Sequence, residues 1–139
     1  MNEETGHFRL DLDGRGVIGL FTEANGGGSE NNVIEHTEGG TMFTKKLPGT
    51  LKVKNITLTR CVSPDRTLWD WRQQVVDGNV AAARSDGTIT VLDSTNAPLA
   101  TYAFKNGWVS KYTPIWMRPG QDEAPVEEVT ITVESFSRV

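Results

Sequence analysis

Three pairs of neighbouring carboxylates are the residues whose types and spacing could support acid–base chemistry. They are Asp11 with Asp13, Asp122 with Glu123, and Glu127 with Glu128. Glycoside hydrolases use two carboxyl groups held close together, one as the acid and one as the base or nucleophile. Each pair here lies in or beside a polar turn, or on the solvent side of a predicted strand. We therefore expect solvated surface groups and predict no catalytic residue.

The sequence also lacks the partners that metal or nucleophilic chemistry requires. His7 and His36 have no cysteine, histidine or carboxylate at the spacing of a metal site, so surface or structural roles are predicted. Cys61 is the only cysteine, and at a strand-to-helix junction we expect a small buried thiol. The glycines at 26–28 are not followed by the Gly-Lys-Ser/Thr and helix of a phosphate loop. No metal and no cofactor are predicted.

Tryptophans provide an alternative binding chemistry. The chain has four, Trp69, Trp71, Trp108 and Trp116. Together they could form a platform for a sugar, so a monomeric β-sandwich that binds carbohydrate is the alternative function. Trp69 and Trp71 are two positions apart on a predicted helix and point to different sides of it, so at most one faces the core directly. A tryptophan on the far side is expected to contact a partner surface or a second layer.

Length and charge narrow the class of protein. The chain has 139 residues, of which 37% are hydrophobic, and we predict a single domain over 1–139 that needs no disulfide or metal. With 14 basic and 18 acidic residues, its net charge of −4 offers no broad basic field for nucleic acid. No apolar run approaches the roughly 20 residues that a membrane span needs, and the N-terminus does not resemble a signal peptide. We expect synthesis and folding in the cytoplasm.

The stretch from Leu47 to Gly78 predicts one long strand that leads directly into a helix. Apolar residues alternate along 47–60, but Leu51 and Val53 have the opposite parity from Ile56 and Leu58. The buried face must therefore change near Lys54-Asn55, through a bulge or a bend. Such a strand can serve two packed sheets.

The helix is predicted over 64–77. Ser63 is the expected N-cap, Pro64 the first helical residue, and Gly78 the stop. Core-facing side chains at helical spacing are Leu68, Trp71 and Val75. We expect this helix to close one side of a sheet.

The remaining pattern is mainly β. Strands are predicted at 8–14, 16–23, 33–38, 98–104, 108–112 and 126–139, and at 79–84 paired with 88–93 across Asp86-Gly87. Segments 25–32 and 41–49 are expected to be irregular, as is 113–125 with Pro114, Pro119 and Pro125. In the last strand, Val129, Ile131 and Val133 are expected to point inward before the parity switches at Phe136. The predicted fold is two packed antiparallel sheets, as a barrel or sandwich, with one flanking α-helix.

Several segments, taken in order, carry a family resemblance. They are Thr37-Glu38-Gly39-Gly40, Leu47-Pro48-Gly49, Asn55-Ile56-Thr57-Leu58-Thr59-Arg60, Leu68-Trp69-Asp70-Trp71, Ile89-x-Val91-Leu92-Asp93, Tyr102-x-Phe104-x-Asn106-Gly107-Trp108 and Val126-Glu127-Glu128-Val129-Thr130-Ile131. No single segment is specific, but the set resembles the tail tube (inner tube) proteins of contractile phages and of phage-tail-like contractile injection systems. The resemblance spans almost the whole chain.

The resemblance implies a structural, non-enzymatic subunit. Family members form homohexameric rings that stack into a hollow tube, which a contracting sheath drives through a target envelope. Implied partners are further copies of the chain, sheath, baseplate and cap proteins, and a cargo protein or DNA in the lumen, with no direct membrane anchor. The segment 40–49 resembles the extended inter-subunit loop of the family. On that basis the expected inter-subunit contacts are Met42, Phe43, Lys45, Lys46 and Leu47.

Overall fold

The computed structural model describes residues 7–37, 39, 40, 43–116 and 125–139. The strands are β1 His7–Leu12, β2 Gly16–Phe21, β3 Glu23–Gly26, β4 Ser29–Thr37, β5 Thr44–Val53, β6 Ile56–Cys61, β7 Ser85–Leu92, β8 Pro98–Ile115, β9 Val126–Thr132 and β10 Ser135–Arg138. The helices are α1 Thr67–Val76 and α2 Val80–Ala83. The mainly-β prediction is confirmed, with α2 as a short addition to the single helix expected.

Two antiparallel sheets share β8. The hydrogen-bonded path runs β2-β1-β7-β8-β9-β6-β3, and β10 also pairs with β8. The first half of β8 pairs with β7 and β10, whereas its second half, from Trp108 to Ile115, pairs with β9. The first sheet is therefore β2-β1-β7-β8-β10, and the second is β8-β9-β6-β3. β4 and β5 pair only with each other, as a separate ribbon.

The core lies between the sheets and under α1. Buried side chains come from both sheets and from the helix, and they include Leu10, Phe21, Leu58, Leu68, Trp71, Phe104, Val109, Val129 and Ile131. Trp71 is fully buried, and its indole Nε1 donates a hydrogen bond to the carbonyl oxygen of Ala83 at 2.6 Å. The predicted inward positions Val129, Ile131 and Val133 are confirmed.

The prediction of one continuous strand over 47–60 is wrong. β5 and β6 are separate strands, and Lys54-Asn55, where the parity switches, is the link between them. β5 belongs to the ribbon and β6 to the second sheet. The segments 25–32 and 41–49 were predicted to be irregular, yet β3 and β4 occupy most of the first and β5 begins at Thr44. The final strand is likewise divided, into β9 and β10.

The hairpin predicted across Asp86-Gly87 is also wrong. Residues 80–83 form the helical turn α2, which suits a run of alanines. Asp86 and Gly87 lie inside β7, where a Cβ on Gly87 would come within 2.6 Å of the Asp11 carbonyl oxygen. Glycine is required here for the close approach of two strands and not for a turn.

The predicted break at Asn106-Gly107 does not end a strand. β8 continues through it to Ile115, with Asn106 in the left-handed region at φ 52°. A Cβ on Gly107 would come within 2.5 Å of the Phe104 ring. These two residues therefore bend β8 where it passes from the first sheet to the second. Pro114 lies within β8, while Pro119 falls outside the described residues.

Helix α1 begins later than predicted. Its first residue is Thr67 rather than Pro64, and its N-cap Arg66 makes no side-chain cap hydrogen bond. Asp65 instead accepts hydrogen bonds from the Thr67 amide at 3.0 Å and the Thr67 hydroxyl at 2.6 Å. An Asx turn thus occupies the position expected for the first helical turn. The predicted stop is confirmed, because Gly78 has φ 89° and its amide donates to the Val75 carbonyl oxygen at 3.0 Å.

Candidate functional site

The ribbon formed by β4 and β5 is the most exposed part of the described fold. Every residue of β4 is exposed, and in β5 only Gly49 and Val53 are partly buried. Its aliphatic side chains are about half exposed or more, at 62% for Val33, 51% for Ile34, 48% for Leu47 and 59% for Leu51. A two-stranded hairpin alone is marginally stable in water, and monomeric proteins rarely expose such apolar surface. The ribbon is therefore a candidate contact surface.

The strand register places apolar side chains on both faces of the ribbon. Ile34 is opposite Leu47, and the adjacent pair is Val33 with Pro48. Because consecutive residues in a strand point to opposite faces, these two pairs lie on opposite faces. In the part of the chain that the structure describes, the aliphatic side chains on both faces are about half exposed or more, so each face is available to another chain.

The predicted contact residues fall on or beside this ribbon. Phe43 is 83% exposed and immediately precedes β5, while Lys45, Lys46 and Leu47 are exposed residues of β5. Met42 lies outside the described residues. Their contact with another subunit remains a prediction.

Sequence reasoning missed the other apolar residues of the ribbon. These are Val33, Ile34 and Leu51. A signal was present, because two adjacent apolar residues in one strand must point to opposite faces. Val33-Ile34 therefore already implied that both faces of β4 carry apolar side chains.

Glycines at 26–28 form the base of the ribbon. Gly26 and Gly27 have φ of 82° and 76°, a region that favours glycine. The Gly27 amide donates to the Asn55 carbonyl oxygen at 2.9 Å, and the Lys54 amide donates to the Gly28 carbonyl oxygen at 3.1 Å. A Cβ on Gly26 would overlap the Asn55 carbonyl oxygen. The glycine run is thus in close backbone contact with residues 54–55, in line with the pairs Gly26–Ile56 and Ser29–Val53 on either side, and is not the open loop that was predicted.

A buried polar network lies at one end of the core. Arg60 on β6 and Glu127 on β9 are buried cross-strand partners, and Arg60 Nε donates to Glu127 Oε2 at 2.7 Å. Arg60 Nη1 donates to the Ile18 carbonyl oxygen at 3.3 Å, and the guanidinium lies 5.2 Å from the centroid of the Phe21 ring. The Tyr112 hydroxyl donates to Glu127 Oε1.

This network corrects the expectation that Glu127 is solvated. Residue 127 has the same parity as the inward-facing Val129 and Ile131, so the strand pattern already pointed it into the core. Glu127 and Glu128 therefore lie on opposite faces of β9 and cannot act as a carboxylate pair. The buried carboxylate is instead paired with a buried guanidinium.

The network changes the proton affinity of its neighbours. Burial, followed by the hydrogen bond to Glu127, raises the pKa of Tyr112 to about 12. Hydrogen bonds from Thr67 lower the pKa of Asp65, with a smaller contribution from Arg60. Asp65 Oδ2 lies 3.6 Å from Arg60 Nη2, which is buried and has no hydrogen-bond partner among the described residues. Tyr112 is thus held as a neutral hydrogen-bond donor.

An open groove adjoins the network, between α1 and the end of β8. We call it the aromatic groove; it is lined mainly by Val62, Asp65, Trp69, Tyr112, Pro114 and Trp116 and has a volume of about 470 Å³. The rings of Trp69 and Tyr112 are in edge-to-face contact, with their centroids 5.4 Å apart. Trp69 is 45% exposed and Trp116 is 72% exposed.

The four tryptophans do not form one platform. Trp71 is fully buried and Trp108 is partly buried, so only Trp69 and Trp116 share the groove. The prediction that Trp69 and Trp71 lie on different sides of the helix is confirmed.

The other candidate residues are dispersed. Asp11 accepts a hydrogen bond from Arg9 at 3.2 Å, Asp13 is exposed, and Asp122 and Glu123 lie outside the described residues. Cys61 is exposed, which corrects the buried thiol expected; its neighbour Arg60 points inward, so Cys61 points outward.

The described residues form neither a metal cluster nor a membrane-spanning helix. They contain no group of three or more His, Cys, Asp or Glu side chains that could hold a metal ion. In the same part of the chain, neither helix is long and apolar enough to cross a membrane.

The fold thus combines two antiparallel sheets that share a strand, a flanking helix and a projecting ribbon with exposed apolar side chains. The family model for the T4-like virus tail tube protein gp19 matches residues 4–137. Since the match spans nearly the whole chain, the chain belongs to this family of tail tube proteins. The resemblance seen in the sequence is thereby confirmed. No curated protein sequence matches the chain.

Solved structures with the same fold come from contractile injection systems. A chain in the cryo-EM structure of the anti-feeding prophage cap has a TM-score of 0.76 and 20% identity, over 100% of this chain and 91% of that one. A chain in the sheath-tube complex of an extracellular contractile injection system, PVC, has a TM-score of 0.72 and 22% identity, over 95% and 88%. Hcp1 from Flavobacterium johnsoniae has a TM-score of 0.57 and 16% identity, over 95% and 94%. Likeness at these identities shows the shared fold.

Proposed function

We propose that this tail tube protein forms homohexameric rings that stack into the hollow inner tube of a contractile phage tail or injection system. The observation that carries the proposal is the ribbon, an arm with exposed apolar side chains on both faces in a chain of the tail tube family. The end strands of the sheet path, β2 and β3, add edges at which backbone groups can pair with another copy.

The ribbon is the proposed inter-subunit contact. It brings together the predicted residues Phe43, Lys45, Lys46 and Leu47, with Met42 adjacent in the sequence, and adds Val33, Ile34 and Leu51. Full burial of an aliphatic side chain contributes about 1.5–3 kcal/mol. Burial of several such side chains at each contact favours association, and the contact is repeated around the ring.

The remaining partners follow from the family. Chains with this fold occur in structures of a cap, a baseplate and a sheath-tube complex. We accordingly propose that the tube contacts sheath, baseplate and cap proteins and carries a cargo protein or DNA in its lumen. The subunit is made in the cytoplasm and assembles into the particle there.

Negative-stain electron microscopy of the purified protein tests this proposal. The protein is imaged at high concentration, both alone and after addition of sheared tail particles as seeds. Wild type should form rings or tubes, whereas Leu47→Glu should remain monomeric and folded, because a charge replaces an apolar contact on the ribbon. Leu99→Glu is the matched control, since Leu99 is 56% exposed and lies near the start of β8, outside the ribbon.

Two outcomes would overturn the proposal. A wild-type protein that stays monomeric with and without seeds contradicts tube formation. Tubes of Leu47→Glu that match wild type contradict the role of the ribbon. A monomer whose tryptophan fluorescence changes with glycans would support the carbohydrate-binding alternative.

A further inference from the structure

The aromatic groove is a second exposed apolar surface, on a different part of the subunit from the ribbon. Two tryptophans, Trp69 and Trp116, remain substantially exposed along it, and Val62 at its margin is 48% exposed. Tryptophan is strongly enriched among the residues that dominate interface energies, particularly where it lines a pocket. The groove therefore has the composition of a binding surface.

We propose that the aromatic groove receives the Ile34–Leu47 face of the ribbon from a second copy of this chain. The inference rests on the proposed function, and it identifies the surface to which the ribbon binds. Ile34 and Leu47 lie side by side on one face of the ribbon, and the proposed contact places this apolar pair in the concave groove.

A contact between two different surfaces of identical chains is heterologous, and it repeats. Each bound copy still has one unoccupied groove or ribbon, so contacts of this kind close into rings or continue as filaments. The geometry therefore provides the repeating contact that a tube requires.

Charge favours the same pairing. On the Ile34–Leu47 face of the ribbon, the nearest charged residue is Lys45, which lies opposite His36. Lys46 and Lys52 lie opposite Glu35 and Glu30, so their charges are largely balanced within the ribbon. The groove lining contains both Asp65 and Arg66, and Asp70 lies 3.8 Å from Arg66 beside it. These three exposed groups together carry one net negative charge. Opposite charges around an apolar centre guide orientation and association more than they add affinity.

The buried network makes the groove wall rigid before any partner binds. Tyr112 is fixed by its hydrogen bond to Glu127, which is fixed in turn by Arg60, and Trp69 contacts the Tyr112 ring. A wall that is already ordered loses little conformational entropy on binding. This network consequently supports the groove as a preformed receptor for the ribbon.

Cross-linking between two variants tests the pairing. Cys61→Ser removes the only native cysteine, and Leu47→Cys or Val62→Cys then places one thiol on the ribbon or on the groove. The two variants are mixed, assembled and treated with a short bis-maleimide. A covalent dimer should form in the mixture and at much lower yield with either variant alone. As a matched control, Leu99→Cys replaces Val62→Cys; Leu99 is 56% exposed and lies near the other end of β8.

A second variant measures the contribution of the groove. Trp116→Ser should raise the protein concentration required for assembly by at least about tenfold, because it removes an exposed anchor of the groove. Since Trp116 is outside the core, circular dichroism should show an unchanged fold.

The outcomes separate this inference from the proposed function. Tubes that are visible by microscopy but give no ribbon–groove cross-link, or give the same yield with Leu99→Cys, would overturn the groove assignment and leave the tube proposal standing. An unchanged assembly concentration for Trp116→Ser would do the same. Wild-type protein that forms no tubes, with or without seeds, contradicts the proposed function and this inference together.

Discussion

The strands β5 and β6 follow one another in the chain but differ in environment. β6 buries four of its six residues, whereas eight of the ten residues of β5 are exposed. Both alternate apolar and polar side chains, and only Lys54-Asn55 separates them. Alternation therefore fixes the direction in which each side chain points, while the surface that covers it depends on the rest of the fold or on another chain.

The largest expected loss of folding stability comes from a substitution in β6. Arg60→Ala leaves the buried Glu127 carboxylate without its cation, which should lower the free energy of unfolding by about 3–5 kcal/mol. On β5, Lys52→Ala should change it by no more than about 0.5 kcal/mol, because Lys52 is exposed. Urea denaturation of both variants measures the difference.

The double variant Arg60→Met/Glu127→Leu separates the buried charge from the loss of packing. Removing both charges should restore much of the lost stability. A double variant as unstable as Arg60→Ala would show that lost packing, and not an unpaired charge, causes the effect.

The next largest loss of stability is expected when a buried leucine of β6 is replaced, and an exposed leucine of β5 is the matched comparison. Leu58→Ala in β6 should lower the free energy of unfolding by about 2–5 kcal/mol, because Leu58 is fully buried. Leu51→Ala in β5 should leave the stability of the monomer within about 0.5 kcal/mol while weakening assembly. Thermal unfolding and sedimentation measure the two properties, and equal losses of stability would contradict the comparison.

At the base of the ribbon, adding a single methyl group should change the folding stability by an amount that depends on the position. Gly26→Ala and Gly28→Ala both place alanine at positive φ, but only at Gly26 would the Cβ meet the Asn55 carbonyl. Gly26→Ala should therefore be less stable than Gly28→Ala by about 1–3 kcal/mol. Similar urea midpoints for the two variants would argue against the close backbone contact.

The smallest effect is expected at alkaline pH. The pKa of Tyr112 is raised from 10.0 to about 12 in the folded state, so the neutral phenol is favoured by folding. This stabilisation is fully present below pH 10 and is lost as the pH rises through about 12. Wild type should lose more stability than Tyr112→Phe across that window in urea denaturation. Parallel pH profiles would contradict the role of the hydrogen bond to Glu127.

Local patterns in the sequence were sufficient for the fold class and for much of the core. Alternation in β9 placed Val129 and Ile131 inward, and helical spacing placed Leu68 and Trp71 in the core. Local patterns were insufficient where a glycine or asparagine could either form a turn or lie within a closely packed strand. Asp86-Gly87 and Asn106-Gly107 have turn residues, but both lie within strands because neighbouring backbone or rings pack against them. Only the paired strands reveal that role.

Of the two candidate surfaces, one could be predicted from the sequence and the other could not. The segment with Phe43 and Leu47 was identified through a family resemblance, and the structure places these residues on the ribbon or next to it. The aromatic groove could not be identified, because Val62 and Trp69 are far in the sequence from Tyr112 and Trp116, and the two pairs come together only when α1 packs beside β8. Glu127 was wrongly predicted to be solvated because it is charged. Its position in the alternation of β9, the same as that of Val129 and Ile131, indicated a buried side chain.

The strand shared by both sheets has a mechanical consequence. β8 runs for 18 residues and is hydrogen-bonded to β7, β9 and β10. Tension along its length loads many backbone hydrogen bonds in parallel, so they must shear together instead of opening one after another. A subunit pulled along β8 therefore resists extension far more strongly than one pulled by the tip of its ribbon, where the hydrogen bonds between β4 and β5 can unzip singly.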